Sequence, residues 1–480
     1  MIDYNTKLTT DRALYPMNNL DASIESDRGR ILSSGALRRL QKRTQVFALE
    51  LNASIRSRLT HSLEVSQTAR FIAKTIIAKL KQSKEQQCGL DQLHNAFVST
   101  AEMTSLLHDI GNPPFGHFAE QTINQWMRDN ALEKLQAFPA STPDTQELKA
   151  MLARDICNYD GNAQAIRLII KLQRLNLSYT QILSVLKYTR GAFEPRPSTT
   201  HALDYLQKKP GFYYSEKESI GVIQDTLQVQ PGHRFPITYI MEAADDISYL
   251  TADLEDAVQK GILNLDTVYN LIKKECEKEG EDYLLEVIEA RYKQAKENEE
   301  PYQFNMFFTL VRAKVVTALV YHVADIYVAH HDAIFEGSFN AALLEYDQQS
   351  KYYKAVKILQ NISSKYIYKN KEVQTLELKG YAIINKLFDI YKPLLLLSCE
   401  DFDALLRDES IDAFVTMRLI KRISSKQIAA YKSEIKKLER HDRESFEILE
   451  YYYRVRLIID YISGMTDDFA LHEYHELSAI

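Results

Sequence analysis

Glycine and proline are scarce in this sequence of 480 residues, which contains 15 glycines and 12 prolines. Both residues interrupt helices, and globular proteins use them on average about twice as often. The sequence also lacks a GxGxxG or GxxxxGKS/T motif and a convincing alternation of apolar and polar residues typical of strands. These absences predict an all-α fold built from long helices.

Cysteine pairs, strong net charge and long apolar runs are also missing. Cys88, Cys157, Cys276 and Cys399 form no CxxC pair, which argues against a zinc ribbon or a disulfide framework and fits a reducing cytoplasm. The formal net charge is −6, so nucleic-acid binding would need a local basic patch. Apolar runs such as 394–397 are too short to span a membrane, and the N-terminus lacks a signal-peptide core. We expect a soluble, cytoplasmic protein without a membrane partner.

Apolar residues recur at helical spacing along the chain. Between Thr60 and Leu80 they lie three or four positions apart, on one face of an amphipathic helix. A soft boundary near residue 265 divides a motif-rich region, 1–265 with an N-terminal arm over 1–24, from a C-terminal helical region, 266–480, that we expect to pack on it. The same spacing predicts further helices over 97–109, 117–128, 237–260, 265–279, 302–330, 371–392 and 412–440, with a charged loop over 293–301.

Two histidine motifs are candidates for metal binding. His61, in RLTHSLEV, lies on the apolar face of its helix, although a lone inward histidine is more often a satisfied core group than a ligand. His108 and Asp109, in LLHDIGNPPFGH, end an apolar helix, where a buried pair is costly unless a cation or partner satisfies it. A site with imidazole and carboxylate ligands suits Mn²⁺, Fe or Mg²⁺ better than a thiolate-rich site, which is typical of structural zinc. His-Asp dipeptides also occur by chance, as 441–442 shows.

The segment MEAADDISYLTADLEDA carries an acidic helix face. Asp245, Tyr249, Asp253 and Asp256 step by four, four and three positions, which places three carboxylates and a phenol on one side. Like charges at this spacing repel, so a purely structural helix gains nothing from them. The alternative is a solvated acidic face, but the apolar residues between 237 and 244 predict that the start of the helix is packed.

The order of these residues is that of the metal ligands in the HD superfamily, and the chain closely resembles the bacterial dGTP triphosphohydrolases of that superfamily. The resemblance extends from about residue 25 to nearly the C-terminus. It is carried by ESDRGRILSSGALRRLQKRTQVF (25–47), RSRLTHSLEV (56–65), HDIGNPPFGHFAE (108–120), DGNAQAIRL (160–168), LKYTR (186–190), MEAADDISY (241–249) and DYISGMTD (460–467).

The resemblance implies an HD-domain helical core with additional C-terminal helices, which would contribute to the substrate pocket and to the contacts of a homohexamer. It implies a divalent metal, Mn²⁺ or Mg²⁺. The choice of Asp245 as a ligand rests on the family pattern, and Asp246 is the alternative. The implied ligands are His61, His108, Asp109 and Asp245.

His117 and Glu120 lie three residues apart on the short helix that follows the Gly-Asn-Pro-Pro breaker. A carboxylate that is hydrogen-bonded to an imidazole fixes its tautomer and raises its pKa. A general acid needs both properties to protonate a departing 5′-oxygen. The alternative is a surface pair worth a few tenths of a kcal/mol. The family resemblance favours the catalytic interpretation.

The resemblance also assigns residues to the parts of dGTP. Tyr249 would pack against the 2′-carbon and leave no room for a ribose hydroxyl, while Gln45 and Asp253 would bond the 3′-hydroxyl. Glu377 and Arg418 are weaker candidates for guanine. The phosphate candidates are Arg58, Lys187, Tyr188 and Lys209.

Residues 418–440 contain eight basic side chains against two glutamates, Glu434 and Glu439. Most such runs are solvated helix faces. The resembled family binds single-stranded DNA at the edges of its oligomer, and an interleaved Tyr431 fits such a groove. Single-stranded DNA is therefore a further partner that the sequence raises.

The expected activity is hydrolysis of dGTP to deoxyguanosine and inorganic triphosphate, by a metal-activated water that attacks the α-phosphorus. One alternative is an HD phosphohydrolase that acts on other dNTPs, on nucleoside monophosphates or on cyclic nucleotides. Another is a single-stranded-DNA-binding regulator that keeps the fold but not the activity. The intact set of metal and acid candidates argues against that second alternative.

Overall fold

The computed structural model describes residues 2–81 and 88–478, and these form helices almost throughout. The α-helices are α1 (Leu20–Leu32), α2 (Gly35–Arg39), α3 (Arg58–Leu80), α4 (Leu90–Leu107), α5 (His117–Asn130), α6 (Leu132–Ala137), α7 (Pro143–Ile156), α8 (Gly161–Arg167), α9 (Tyr179–Val185), α10 (Lys217–Thr226), α11 (Pro236–Gln259), α12 (Leu265–Glu279), α13 (Asp282–Lys296), α14 (Glu300–Ala329), α15 (His331–Glu336), α16 (Lys351–Ile362), α17 (Lys371–Leu396), α18 (Cys399–Leu406), α19 (Thr416–Leu419), α20 (Ser425–Ile435), α21 (Arg443–Ser463) and α22 (Asp467–Ser478). The all-α prediction is confirmed.

A short parallel pair of strands, β1 (Arg190–Gly191) and β2 (Pro210–Phe212), lies among the helices. Lys187 and Tyr188 precede β1 closely, and Lys209 directly precedes β2. The pairing therefore sets these two segments side by side, although they are about twenty residues apart in the chain.

Most predicted helices are found, but two predicted segments are wrong. The helices predicted over 117–128, 237–260, 265–279 and 302–330 correspond to α5, α11, α12 and α14 within two residues. The single helix predicted over 412–440 is instead divided into α19, a 3₁₀ turn and α20, because the side chain of Ser424 accepts a hydrogen bond from the backbone of Lys426 and starts a new helix there. The charged loop predicted over 293–301 is mostly helical, since α13 continues to Lys296 and α14 begins at Glu300.

The core consists of two clusters of buried apolar side chains. The first is built mainly on α3, α4, α11 and α14. The second is built mainly on α5, α7, α17 and α21. Each cluster includes residues from both sides of position 265, and the division of the chain at that position stays a prediction.

Helix α14 is long and apolar enough to cross a membrane by composition alone. It packs against α3 and α13, and it buries side chains such as Phe307, Val315 and Tyr327 completely or nearly so. Arg312 and Asp325 on the same helix form ion pairs with neighbouring helices. Because charged side chains are costly within a bilayer, the apolar composition of α14 is only weak evidence for a membrane span.

Candidate active site

The start of α3 buries Arg58 and His61. Ser57 caps this helix, because its side chain accepts a hydrogen bond from the backbone of Thr60, whose hydroxyl bonds back to the backbone of Ser57. His61, one turn into the helix, is completely buried. The predicted inward orientation of this histidine is therefore found.

The end of α4 presents His108 in a defined tautomer. Its Nδ1 lies 2.7 Å from the carbonyl oxygen of Ser105. Because a carbonyl can only accept a hydrogen bond, Nδ1 donates, and in the neutral ring the lone pair is left on Nε2. That Nε2 is buried and makes no hydrogen bond among the described residues. A backbone acceptor behind a histidine in this way is typical of metal ligands.

The structure brings the four predicted ligands close together. One donor atom each from His61, His108 and Asp109 lies within 4.8 Å of the other two. Asp245 lies beside this group, since its Oδ1 lies 3.1 Å from Nε2 of His61 and 3.4 Å from Nε2 of His108. Asp245, and not Asp246, makes these contacts. Burial raises the pKa of Asp246 to about 8. Two imidazoles and two carboxylates that converge in this way can hold a divalent cation.

The carboxylate of Asp109 is oriented by two neighbours. Arg58 donates from Nη1 to its Oδ2 at 2.8 Å, and Asn112 donates from Nδ2 to its Oδ1 at 2.5 Å. Glycine is required nearby, because a Cβ on Gly111 would lie 2.0 Å from the backbone oxygen of Gly161. The turn after α4 therefore packs directly on the start of α8.

His117 and Glu120 form the predicted pair at the start of α5. Nδ1 of His117 lies 2.9 Å from Oε2 of Glu120, and Oε1 of Glu120 accepts from the backbone of Gly161 at 2.9 Å. The glutamate is buried, whereas the histidine side chain is 72% exposed. The hydrogen bond that His117 donates to Glu120 and the negative charge of Glu120 raise the pKa of His117 above its usual value. A Cβ on Gly161 would lie 2.0 Å from Asn112 Oδ1, so this close approach also needs glycine.

A cavity of about 670 Å³ lies beside these groups. This volume is within the range of small-molecule sites, roughly 300–1,000 Å³. Helices α3, α5, α11 and α17 all contribute to its walls. Among its lining residues are eight that the sequence predicts, namely Gln45, Arg58, Asp109, His117, Asp245, Tyr249, Asp253 and Glu377.

Two of the predicted sugar residues, Tyr249 and Asp253, have hydrogen-bond partners that the sequence does not reveal. The hydroxyl of Tyr249 accepts from Nε2 of Gln360 at 2.8 Å, and Asp253 accepts from the hydroxyl of Tyr368. Asp253 is buried, as is Asp256, so the carboxylates at these positions are not a solvated face. Oε1 of Gln45 is buried and makes no hydrogen bond in the part of the chain that the structure describes.

Of the predicted phosphate residues, Arg58 lines the cavity, whereas Lys187, Tyr188 and Lys209 are not among the described residues that line it. Nζ of Lys187 is 3.7 Å from Oδ2 of Asp245. Nζ of Lys209 is 3.7 Å from Oδ2 of Asp160, the residue that caps α8. Tyr188 is buried. Sequence reasoning missed Asp160, although it begins the family-like segment DGNAQAIRL.

Two predictions for the C-terminal part have different outcomes. Arg418 is exposed, donates to the backbone of Phe414 and is not among the described residues that line the cavity. Its assignment to guanine stays a prediction. Tyr431 is only 6% exposed, and its hydroxyl donates to Glu450 at 2.6 Å. The interpretation of Tyr431 as a stacking residue in a DNA groove is therefore wrong, because its ring is part of the core.

Family comparisons agree with this arrangement. The HD domain family matches residues 58–162, which include the two histidine motifs, and the phosphohydrolase-associated domain matches residues 415–476. The chain thus contains an HD domain, and its helical fold is that of an HD-domain protein.

The chain is similar to relatives over nearly its whole length. It is 42% identical over 477 residues to deoxyguanosinetriphosphate triphosphohydrolase of Klebsiella pneumoniae (strain 342), covering 95% of this chain and 94% of that protein. It is 40% identical over 504 residues to the protein of the same name from Yersinia enterocolitica serotype O:8, covering 100% and 99%. The chain belongs to the deoxyguanosinetriphosphate triphosphohydrolase family.

Proposed function

We propose that the chain hydrolyses dGTP to deoxyguanosine and inorganic triphosphate. The observation that carries this proposal is that His117, held by Glu120, lines the same cavity as Asp109 and Asp245. A proton donor and a candidate metal site then face one substrate. The names of the relatives support dGTP as that substrate.

The proposed reaction is an in-line displacement at the α-phosphorus. The oxygen of water forms the new bond to phosphorus, the bond from phosphorus to the 5′-oxygen breaks, and the product anion is inorganic triphosphate. When bound by His61, His108, Asp109 and Asp245, a divalent ion, Mn²⁺ or Mg²⁺, would supply hydroxide near neutral pH and offset phosphate charge.

Positive side chains of the chain would hold the triphosphate. Arg58 lines the cavity and is already fixed by Asp109, so its guanidinium is oriented before substrate binds. Lys187 and Lys209 lie beside the carboxylates of Asp245 and Asp160. Together with Tyr188, they would contact phosphate oxygens of the substrate.

His117 would act as the general acid. Its Nδ1 is engaged by Glu120, so in the imidazolium form the proton on Nε2 is the one available to the 5′-oxygen. An alkoxide is a poor leaving group, and protonation in the transition state removes that difficulty. Glu120 is a positioning residue, because it acts on the substrate only through His117.

The nucleoside would occupy the part of the cavity formed by α11 and α17. Tyr249 would exclude a 2′-hydroxyl, while Gln45 and Asp253 would bond the 3′-hydroxyl. The unpartnered Oε1 of Gln45 supports this assignment. Glu377 lines the cavity and would meet the base, and Arg418 is the weaker candidate for the same role.

The family resemblance supports further proposals about assembly and location. We expect a homohexamer in the cytoplasm, in which residues 266–480 contribute to subunit contacts. Single-stranded DNA would contact exposed basic residues of 418–440 such as Lys421 and Lys436, without stacking on Tyr431.

Product analysis tests the proposed reaction. The protein is incubated with dGTP and Mn²⁺, and nucleosides, nucleotides and polyphosphates are separated by anion exchange. Deoxyguanosine and triphosphate in equal amounts are expected. Products of dGMP and pyrophosphate would contradict the proposal, as would cleavage of a nucleoside monophosphate in preference to dGTP.

A further inference from the structure

The turn that leads into α5 has a backbone conformation that residues with side chains rarely adopt. Phe115 has a φ of 64°, in the left-handed region, and the following Gly116 has a φ of 69°. A phenylalanine keeps such a conformation only where surrounding groups hold it, because its Cβ crowds the backbone there. Gly116 has no side chain that could cap α5, so the groups that hold Phe115 also fix where this helix begins. The first residue of the helix is His117.

Asp467 holds this turn from near the other end of the chain. It is the first residue of α22 and is only 2% exposed. Its Oδ1 accepts a hydrogen bond from the backbone of Phe115 at 3.1 Å. Its Oδ2 accepts from the backbone of Thr44 at 3.0 Å and from the hydroxyl of Thr44 at 2.7 Å. One buried carboxylate therefore ties together two loops that are 352 and 423 residues away from it in the chain.

Both loops carry residues of the catalytic cavity. Thr44 is followed directly by Gln45, which lines the cavity. Phe115 lines the cavity itself, and His117 lies two residues later. Asp467 is not among the described residues that line the cavity. It can therefore act on a bound substrate only through the loops that it holds.

Arg43 ties the same parts of the molecule together. Its buried guanidinium donates to the backbone oxygens of Ile110 and Asn112, in the turn after α4. It also donates to the backbone oxygens of Ser463 and Met465, at the corner between α21 and α22, at 2.7 Å each. Hydrogen bonds from a charged donor are stronger than those between neutral groups. The corner between α21 and α22 is thereby fixed against both loops.

We propose that Asp467 is a positioning residue for the catalytic acid, because its carboxylate holds the left-handed turn at Phe115 and so keeps the imidazole of His117 against Glu120. The inference rests on the proposed function, in which His117 donates the proton. A carboxylate suits this role, since it offers one oxygen to each loop. An asparagine would offer a single oxygen and would turn an N–H donor towards the other loop.

Adjacent aspartates allow a matched kinetic test. Asp468 is exposed and pairs with Lys42 at 3.2 Å, so Asp468→Asn removes the same charge without touching the two loops. Asp467→Asn should turn over dGTP about 10- to 100-fold more slowly, because misplacement of a catalytic group by about 1 Å can cost on the order of 10²-fold in rate. Asp468→Asn should keep the wild-type kcat, and both variants should keep the wild-type metal content.

The pH profile separates a positioning role from a loss of stability. A displaced His117 loses the contact with Glu120 that raises its pKa, while Arg58 and Lys209 continue to lower that pKa. The alkaline limb of kcat should therefore move to lower pH in Asp467→Asn, since the imidazolium is lost at lower pH. Loss of folded protein would reduce kcat at every pH and leave the limb in place. A wild-type kcat in Asp467→Asn, or a reduced kcat with an unmoved limb, would overturn the proposal.

Hydrogen exchange tests the hold on the turn without any turnover. Peptides that cover 113–118 should exchange at least about tenfold faster in Asp467→Asn than in the wild type, because the amide of Phe115 loses its buried acceptor. Peptides of α11 should be unchanged. If Asp467→Asn does not fold, Thr44→Val replaces it, since that change removes only the hydroxyl that fixes Oδ2. It should also speed exchange over 113–118.

The two measurements keep the inference and the proposed function apart. Unchanged exchange over 113–118 in the folded variants would show that Asp467 does not hold the turn. Faster exchange together with a wild-type kcat would overturn the positioning role alone. A wild type that releases no deoxyguanosine from dGTP, although 113–118 exchanges slowly, would refute the proposed function and with it the role of Asp467 in catalysis.

Discussion

Nδ1 of His117 lies 2.9 Å from Oε2 of Glu120, and this contact joins an exposed imidazole to a buried carboxylate. The other carboxylate oxygen is held by the backbone of Gly161. The imidazole is thus fixed from behind while its free edge faces the catalytic cavity. In the proposed mechanism, this geometry would position the proton donor before substrate binds.

Removal of the donor should slow the chemical step and leave binding intact. His117→Ala should retain its metal and its affinity for dGTP, yet turn over about 10²–10⁴-fold more slowly, because general acid catalysis contributes a factor of that order. Single-turnover rates and metal content by mass spectrometry check this. A variant with wild-type turnover would show that another group protonates the leaving oxygen.

The pH dependence follows from the pKa of His117, which Glu120 raises. A raised pKa keeps the imidazolium, the form that donates, present to higher pH, so kcat should fall as pH rises through that value. Glu120→Gln removes the negative charge but keeps the size of the side chain. It should move the alkaline limb of the profile to lower pH. An alkaline limb at the same pH in Glu120→Gln would remove the basis for this positioning role.

Adjacent aspartates provide a matched test of the metal site. Asp245 contacts the imidazoles of His61 and His108, so Asp245→Asn should lose metal and activity together. Asp246→Asn is the control, since the same change one residue later should leave the metal in place. Asp109→Ala should behave like Asp245→Asn. Equal metal content in all variants, measured after dialysis, would exclude these aspartates as ligands.

Sugar discrimination should depend on the ring of Tyr249. The wild type should hydrolyse dGTP far faster than GTP, because the ring leaves no space for a 2′-hydroxyl. Tyr249→Ala should narrow this gap. Tyr249→Phe loses only the hydrogen bond from Gln360 and should keep most of the discrimination. The ratio of kcat/KM for the two nucleotides checks this, and a wild type that treats them alike would refute it.

The sequence predicts the parts of the site that depend on local spacing. His61 lies inward because the apolar period of α3 places it there, and the adjacent His108 and Asp109 end a helix as expected. The contacts of Gln360 with Tyr249 and of Tyr368 with Asp253 could not be predicted. Gln360 lies on α16 and Tyr368 on the turn after it, more than a hundred residues away in the chain from their partners.

Misleading sequence features also have physical reasons. A tyrosine within a basic run indicates a nucleic-acid surface only if its ring is exposed, and Tyr431 instead packs against Phe402 in the core. Likewise, apolar spacing continues through Ser424, so periodicity alone does not reveal that its side chain begins a new helix.

Hydrolysis of dGTP in ¹⁸O-water, with mass analysis of both products, tests the central claim most directly. The proposed attack at the α-phosphorus, with His117 protonating the departing 5′-oxygen, requires the water oxygen to enter the phosphate product. We predict one ¹⁸O atom in inorganic triphosphate and none in deoxyguanosine. Label in deoxyguanosine would mean attack on carbon, and labelled dGMP or pyrophosphate would mean cleavage at another bond; either result would contradict the account.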